Sequence, residues 1–333
     1  MAPVIGHQAA QQAFAAALAG GHLHHAWLLA GPQGVGKGSF ARLAALRILA
    51  EGQRAQGLPP GLDVPGDHPA AALFAAGSHP DLRVLTRLPR DADKPEAGLA
   101  RSIKVDQVRA LQPFLSMATS LGPRRVIVID AIDDLEREGA NALLKSLEEP
   151  PGGTVFLLVS HMPGRLLPTI RSRCSTLRFA SLSDQEVAAV VRQCAPELPE
   201  TEIAALVRAG EGSPGRALGF AGLEIGKLDA AIEAIAADGD PDNARRAALG
   251  KTLAPKAAQA RYEAFLERAP AYIAAQAKRT TGPALPAVLT AQTKARDLAG
   301  AALGLSLDPQ ATVWEMSGLL AGLAPGVTAR ARL

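Results

Sequence analysis

The chain runs to 333 residues, 48% hydrophobic but only 4% aromatic, enough for two or three packed domains whose cores rest on Ala, Leu and Val. Its 35 basic residues face 32 acidic ones, a balance too mild to argue for nucleic-acid binding by bulk charge. Two cysteines, Cys174 and Cys194, exclude a disulfide framework, offer no C-x-x-C pair for zinc and point to reduced, cytoplasmic surroundings.

The opening stretch MAPVIGHQAAQQAF lacks the basic start and apolar core of a signal peptide. No apolar run approaches the ~20 residues of a bilayer span, so no membrane partner is expected. His22, His24 and His25 cluster before Trp27 without a carboxylate or thiol at ligand spacing, and read as surface or packing residues. HAWLLAG (25–31) is a short strand entering GPQGVGKGS (31–39), and SFARLAALRILAEG (39–52) has helical spacing after it. Strand, glycine loop and helix form the setting of a phosphate loop. Gly31, Gly34 and Gly36 let backbone N–H groups converge on phosphate oxygens, and Lys37 adds a point charge. The hydroxyl that normally follows the lysine and holds Mg²⁺ is missing, because the next residue is Gly38.

QRAQGLPPGLDVPGDHP (53–69) is a Pro/Gly-rich surface loop, SHPDLRVLTR (78–87) holds a short strand, and RSIKVDQVRALQPFLSMA (101–118) has mostly helical spacing. GPRRVIVIDAIDDL (122–135) supplies a continuous apolar strand, suited to a parallel sheet buried on both faces, ending in Asp130. An acid there often orients Mg²⁺ beside phosphates. The water-activating glutamate that would follow in an active ATPase is Ala131, while Asp133 and Asp134 read as a solvated helix start. EGANALLKSLEEPPG (138–152) is a helix stopped at Pro150–Pro151, and TVFLLVS (154–160) is a strand. Arg165, Arg171 and Arg173 then lie close together in sequence, either as a solvated basic helix end or as charge aimed at a neighbour's phosphate. Residues 181–220 read as three short helices, with Ser183 and Thr201 or Ser213 as N-caps. Helical patterns continue from 225, with helices around 254–278, 286–304 and 309–323, as a compact bundle or an oligomeric ring.

VIGHQ (4–8), the glycine loop, VDQVR (105–109), VIVIDAIDDL, NALLKSLEEPP (141–151) and TIRSRC (169–174) carry a family likeness in their order and spacing. Over about residues 1–220 the chain resembles the delta-prime branch of the bacterial DNA polymerase III clamp loaders, a family of AAA+ proteins. The resemblance implies an α/β AAA+ domain over 1–179, with a parallel sheet and a phosphate-loop-type site. A small helical lid would follow over 180–223, and an all-α collar over 224–333. It also implies a subunit that does not hydrolyse ATP, and polymerase activity only through the complex. Arg173, flanked by Ser172 and Cys174, would serve in trans as an arginine finger in a neighbour's ATP site. The implied partners are gamma/tau motor subunits and a delta subunit in a hetero-pentamer, with the sliding clamp and primer-template DNA met through that assembly. Cys174 itself reads as a small buried hydrophobe.

The sequence departs from that pattern in three places, one of them a glycine loop better preserved than in some members. The loop at 53–69 has none of the zinc cysteines many members carry, so no zinc is expected, and a lid arginine would align with Gly215, leaving Arg216 about 100° around a helix. No cofactor is required. Weak ATP or ADP binding without hydrolysis remains compatible with Gly31, Gly34, Gly36, Lys37 and Asp130. The alternative, a motor-type ATPase, is opposed by Gly38, Ala131 and Gly215, each removing a different catalytic part. A small-molecule phosphotransferase would account for the glycine loop but neither for Ser-Arg-Cys nor for the helical tail.

Overall fold

Strands β1 (Ala26–Ala30) and β4 (Thr154–Ser160) are buried at every residue, and β3 (Arg125–Asp130) at every residue but its last. Such strands have no face to give to water, so they need cover on both sides. The computed structural model describes residues 4–91, 93–94 and 98–324. Among them β1, β3 and β4 join β2 (Leu82–Leu85) and β5 (Ser175–Arg178) in one parallel sheet of order β2-β3-β4-β1-β5. Register is set by pairs such as Trp27 with Leu157, Leu29 with Leu177 and Val128 with Leu157.

Successive residues point to opposite faces, and the two faces build two cores. On one, Trp27, Leu29, Val128 and Val159 pack with Phe14 of α1 (Gln8–Ala19) and Phe40 and Ile48 of α2 (Lys37–Gln53). On the other, Leu28, Ile127, Ile129, Phe156 and Leu158 meet α4 (Val105–Arg109), α5 (Leu111–Ser116) and α6 (Arg137–Glu148). Helix α3 (Pro69–Ala75), capped by His68 with Pro69 in its first turn, packs on α2 through Ala70 against Leu46 and Ala50. The helical spacing over 101–118 resolves into two helices because Pro113 offers no N–H and its ring crowds the carbonyl of Arg109.

The described chain divides into two units. One takes residues up to Val190 together with Glu211–Gly215; the other holds Val191–Gly210 and the chain from Arg216 onward. Residues 180–223 form three helices, α8 (Asp184–Cys194), α9 (Glu200–Gly210) and α10 (Pro214–Gly219), shared between the units. Ser183 caps α8 reciprocally: its hydroxyl accepts from Glu186 N at 3.3 Å while Glu186 accepts from Ser183 N at 2.9 Å. Thr201 lies inside α9 and caps nothing there.

The second unit continues with α11 (Ile225–Asp238), α12 (Ala244–Leu253), α13 (Gln259–Arg279), α14 (Leu285–Leu305) and α15 (Pro309–Ala321). The collar region expected over 224–333 extends at its end past the described residues. Buried Asp240 accepts from the backbone N–H groups of Arg245 and Arg246 and from Arg246 Nε, which holds its carboxyl below the usual range despite burial. Arg268 grips Asp229 with both fork nitrogens, at 2.9 and 3.0 Å.

Candidate functional site

The glycine loop leaves β1 and enters α2, with Gly31, Gly34 and Gly36 at φ values of 159°, 77° and 103°. At 77° and 103° an L side chain is strained, and at Gly31 a Cβ would run into the carbonyl of Phe179. The first N–H groups of α2 have no carbonyl of their own helix to bond, so the loop is a cradle of donors. Its carbonyls are held from outside. His7 Nε2 donates to Val35 O at 2.7 Å, Ser213 Oγ to Gln33 O at 3.0 Å and Gly215 N to Gly34 O at 2.8 Å. Lys37, only 2% exposed, turns back on the loop, and its ammonium donates to Gly31 O at 2.7 Å and to Pro32 O. Burial lowers its pKa to about 8, against an opposing pull from the carboxylates of Asp130 and Asp133.

Asp130 ends β3 beside that lysine. A Cβ built on Gly38 collides with Asp130 Oδ2, so the carboxylate fills the place where a Ser or Thr side chain would stand. Ala131 is buried in the core and carries no group able to orient a water. Asp133 and Asp134 are not a solvated helix start. They lie in the 3₁₀ turn Ile132–Asp134, where Asp133 accepts from Ser160 Oγ at 2.9 Å, His161 N at 2.5 Å and Met162 N at 3.2 Å, and Asp134 pairs with Arg87 at 3.1 Å. His161 completes this group. Burial and the charge of Lys37 lower its pKa, partly offset by the three aspartates. His161 stands in no recognisable spacing, and Ser213, legible in the sequence only as a helix cap, gives no sign there of its bond to the loop.

Arg173 belongs to a second group, on the link between α7 (Pro168–Arg171) and β5. Its Nη1 donates to Thr169 O at 2.8 Å, and its Nη2 pairs with Glu148 of α6 at 2.8 Å. Ser172 Oγ donates to Thr169 O at 3.2 Å and Cys174 Sγ to Ile170 O at 3.2 Å. All three residues of the Ser-Arg-Cys triplet therefore satisfy carbonyls at the end of one short helix. Burial raises the Cys174 thiol to about 11, so it is no nucleophile. Arg165 and Arg171 are exposed.

A family model described as DNA polymerase III, delta subunit, matches residues 6–183, more than half of the chain. The chain belongs to this family. Within this DNA polymerase III family, the delta-prime subunit of Pseudomonas aeruginosa is 46% identical over 165 residues, covering 49% of this chain and 46% of that one. The Escherichia coli delta-prime subunit is 32% identical over 198 residues, 60% of this chain and 54% of that one. A gamma/tau subunit of Mycobacterium tuberculosis is 29% identical over 262 residues, 71% of this chain and 43% of that one. The chain thus spans about half the length of the curated relatives it matches.

Two positions that the sequence marks as departures each have partners of their own. In the loop where the resemblance directs attention to zinc, Arg47 of α2, 7% exposed, donates to Pro59 O at 2.6 Å and Asp63 O at 2.9 Å and pairs with Glu51 at 2.9 Å. His68 uses both ring nitrogens on backbone, accepting from Ala70 N at 3.2 Å and donating to Arg54 O at 3.1 Å. His79 Nδ1 accepts from Asp81 N at 3.2 Å. At the other departure, Gly215 lies against the phosphate loop, and a Cβ there would sit 2.9 Å from Gly34 Cα and 3.0 Å from its oxygen. Arg216 pairs with Glu267 at 2.5 Å. Of the histidines before Trp27, His22 is exposed, while His24 and His25 stack at 4.3 Å and His25 Nε2 donates to Leu147 O at 3.1 Å.

Proposed function

We propose that this chain is the non-hydrolysing stator of a DNA polymerase III clamp loader, of delta-prime type, and that it lends Arg173 to the ATP site of a neighbouring gamma/tau subunit. The observation that carries the reading is the closure of its own phosphate loop: Lys37 is committed to the Gly31 and Pro32 carbonyls, and the Asp130 carboxylate fills the space over Gly38. A magnesium-nucleotide does not fit these residues, because position 38 offers no oxygen and Ala131 cannot orient water. The backbone cradle can still take phosphate, so weak ATP or ADP binding without turnover is part of the proposal; zinc is not.

Arg173 supports the second half. Its side chain is 34% exposed, held at the surface beside a short helix end. A guanidinium is planar, permanently charged and forked, which suits it to charge spreading over a transferring phosphoryl group. In this reading residues 1–179 form the AAA+ domain, 180–223 the lid and 224–333 a collar joining gamma/tau and delta subunits in a hetero-pentamer. Sliding clamp and primer-template DNA are met through that cytoplasmic assembly, and any polymerase activity belongs to the assembly.

The test is Arg173→Ala, assembled with motor subunits on primed DNA with the clamp. Turnover at the neighbouring site is expected to fall by on the order of 10³, in kcat more than KM. Arg171→Ala controls for general loss of charge. Equal turnover in the Arg173 variant and the parent, with assembly confirmed, would exclude the role.

A further inference from the structure

Glu148 is the last residue of α6, a place where the free carbonyls of a helix end disfavour a second negative charge. Its carboxylate lies 2.8 Å from Arg173 Nη2, while Arg173 Nη1 donates to Thr169 O at 2.8 Å. The two terminal nitrogens of one guanidinium are thus fixed by two different elements, α6 and α7. Glu148 is 47% exposed and Arg173 34%, so the pair adds little to folding stability. What it changes is the freedom of the arginine. A long side chain anchored at one nitrogen still sweeps many rotamers, and ordering them is unfavourable. Anchoring at both terminal nitrogens fixes the plane of the fork, with Nη1 also donating to Ser172 Oγ at 3.4 Å, and leaves Nε–H and the second N–H of Nη2 to meet an oxygen.

We propose that Glu148 is a positioning residue for Arg173, ordering the guanidinium before a neighbouring subunit's phosphates reach it. The inference rests on the reading of Arg173 as a trans-acting arginine. Misplacing a reacting group by about 1 Å can cost on the order of 10²-fold in rate, so the loss of one of two anchors has a visible effect short of that limit.

Glu148→Ala, Glu148→Gln, Arg173→Ala and the Glu148→Ala/Arg173→Ala double variant are each assembled with motor subunits on primed DNA with the clamp. Glu148→Ala is expected to lower kcat roughly five- to tenfold with KM for ATP unchanged. Glu148→Gln, whose amide oxygen accepts the same N–H, is expected to keep more than half the parent rate. The double variant is expected to match Arg173→Ala alone, because Glu148 acts only through that arginine. In the full chain, ¹⁵N spectra should show the Arg173 guanidinium nitrogens losing their separate signals in Glu148→Ala. Parent-like or faster turnover in Glu148→Ala, with Arg173→Ala impaired, overturns the role of Glu148 and leaves that of Arg173 standing. A silent Arg173→Ala overturns both. A further loss on adding Glu148→Ala to Arg173→Ala would show that Glu148 acts elsewhere.

Discussion

A Cβ added at Gly38 meets the end of a rotatable carboxylate, whereas one added at Gly215 meets the backbone of Gly34. The first obstacle can swing aside and the second cannot. Gly38→Ser is therefore expected to change stability by less than ~1 kcal/mol, and Gly215→Ala to cost ~1–3 kcal/mol through overpacking, both read from urea unfolding midpoints. Lys37 gives a pH signature. Its folded-state value of about 8 lies below its ordinary 10.5. Below pH 8 both folded and unfolded chains keep the proton, and the folded chain carries the full penalty of a buried charge. Between pH 8 and 10.5 the folded chain releases the proton first, so this contribution to stability rises with pH. Melting temperatures of parent and Lys37→Met, compared from pH 7 to pH 10, should move apart in the parent's favour above pH 8. A constant gap would show that the ammonium is not held as described.

At the scale of elements, the loop 54–68 hangs on Arg47, whose guanidinium reaches two loop carbonyls and Glu51. Arg47→Met keeps the stem and removes the fork, and should cost about 2–3 kcal/mol and open the loop to proteolysis. EDTA should leave the melting temperature of the parent unchanged; a fall would reveal a structural metal there. Elements that impose themselves locally were legible in the sequence. The unbroken apolar runs of β1, β3 and β4 demand burial on both faces, the glycines demand a loop, and Pro150–Pro151 stop α6. Elements created by their neighbours were not. Residues Ser175–Arg178 form β5 through pairing with β1, although a four-residue run of mixed polarity shows no period. Asp133 was read as solvated because its partners, Ser160 and the backbone at 161 and 162, stand 27 to 29 positions away. Glu148 was visible as part of LEEPP, but only the folding of α7 onto α6 brings Arg173 to it.

For the whole molecule, the same residues that close the phosphate loop predict that the isolated chain turns over no ATP above background. A steady-state rate abolished by Lys37→Ala would overturn that expectation and favour a motor. The sheet has a consequence of another kind, during synthesis. β1 is an interior strand, yet both its neighbours come late: Trp27 pairs with Leu157 and with Ser175. At about 5–20 residues per second, a ribosome needs roughly 6–25 s to make the intervening stretch. Throughout that interval Trp27, Leu28 and Leu29 have no neighbouring strand to pair with, and the apolar face of α2 has only α1, α3 and, late on, β3 to meet. The nascent chain must therefore be shielded or kept dilute until β4 emerges, and the last ties on the phosphate loop, from Ser213 and Gly215, can form only after nearly two-thirds of the chain has been made.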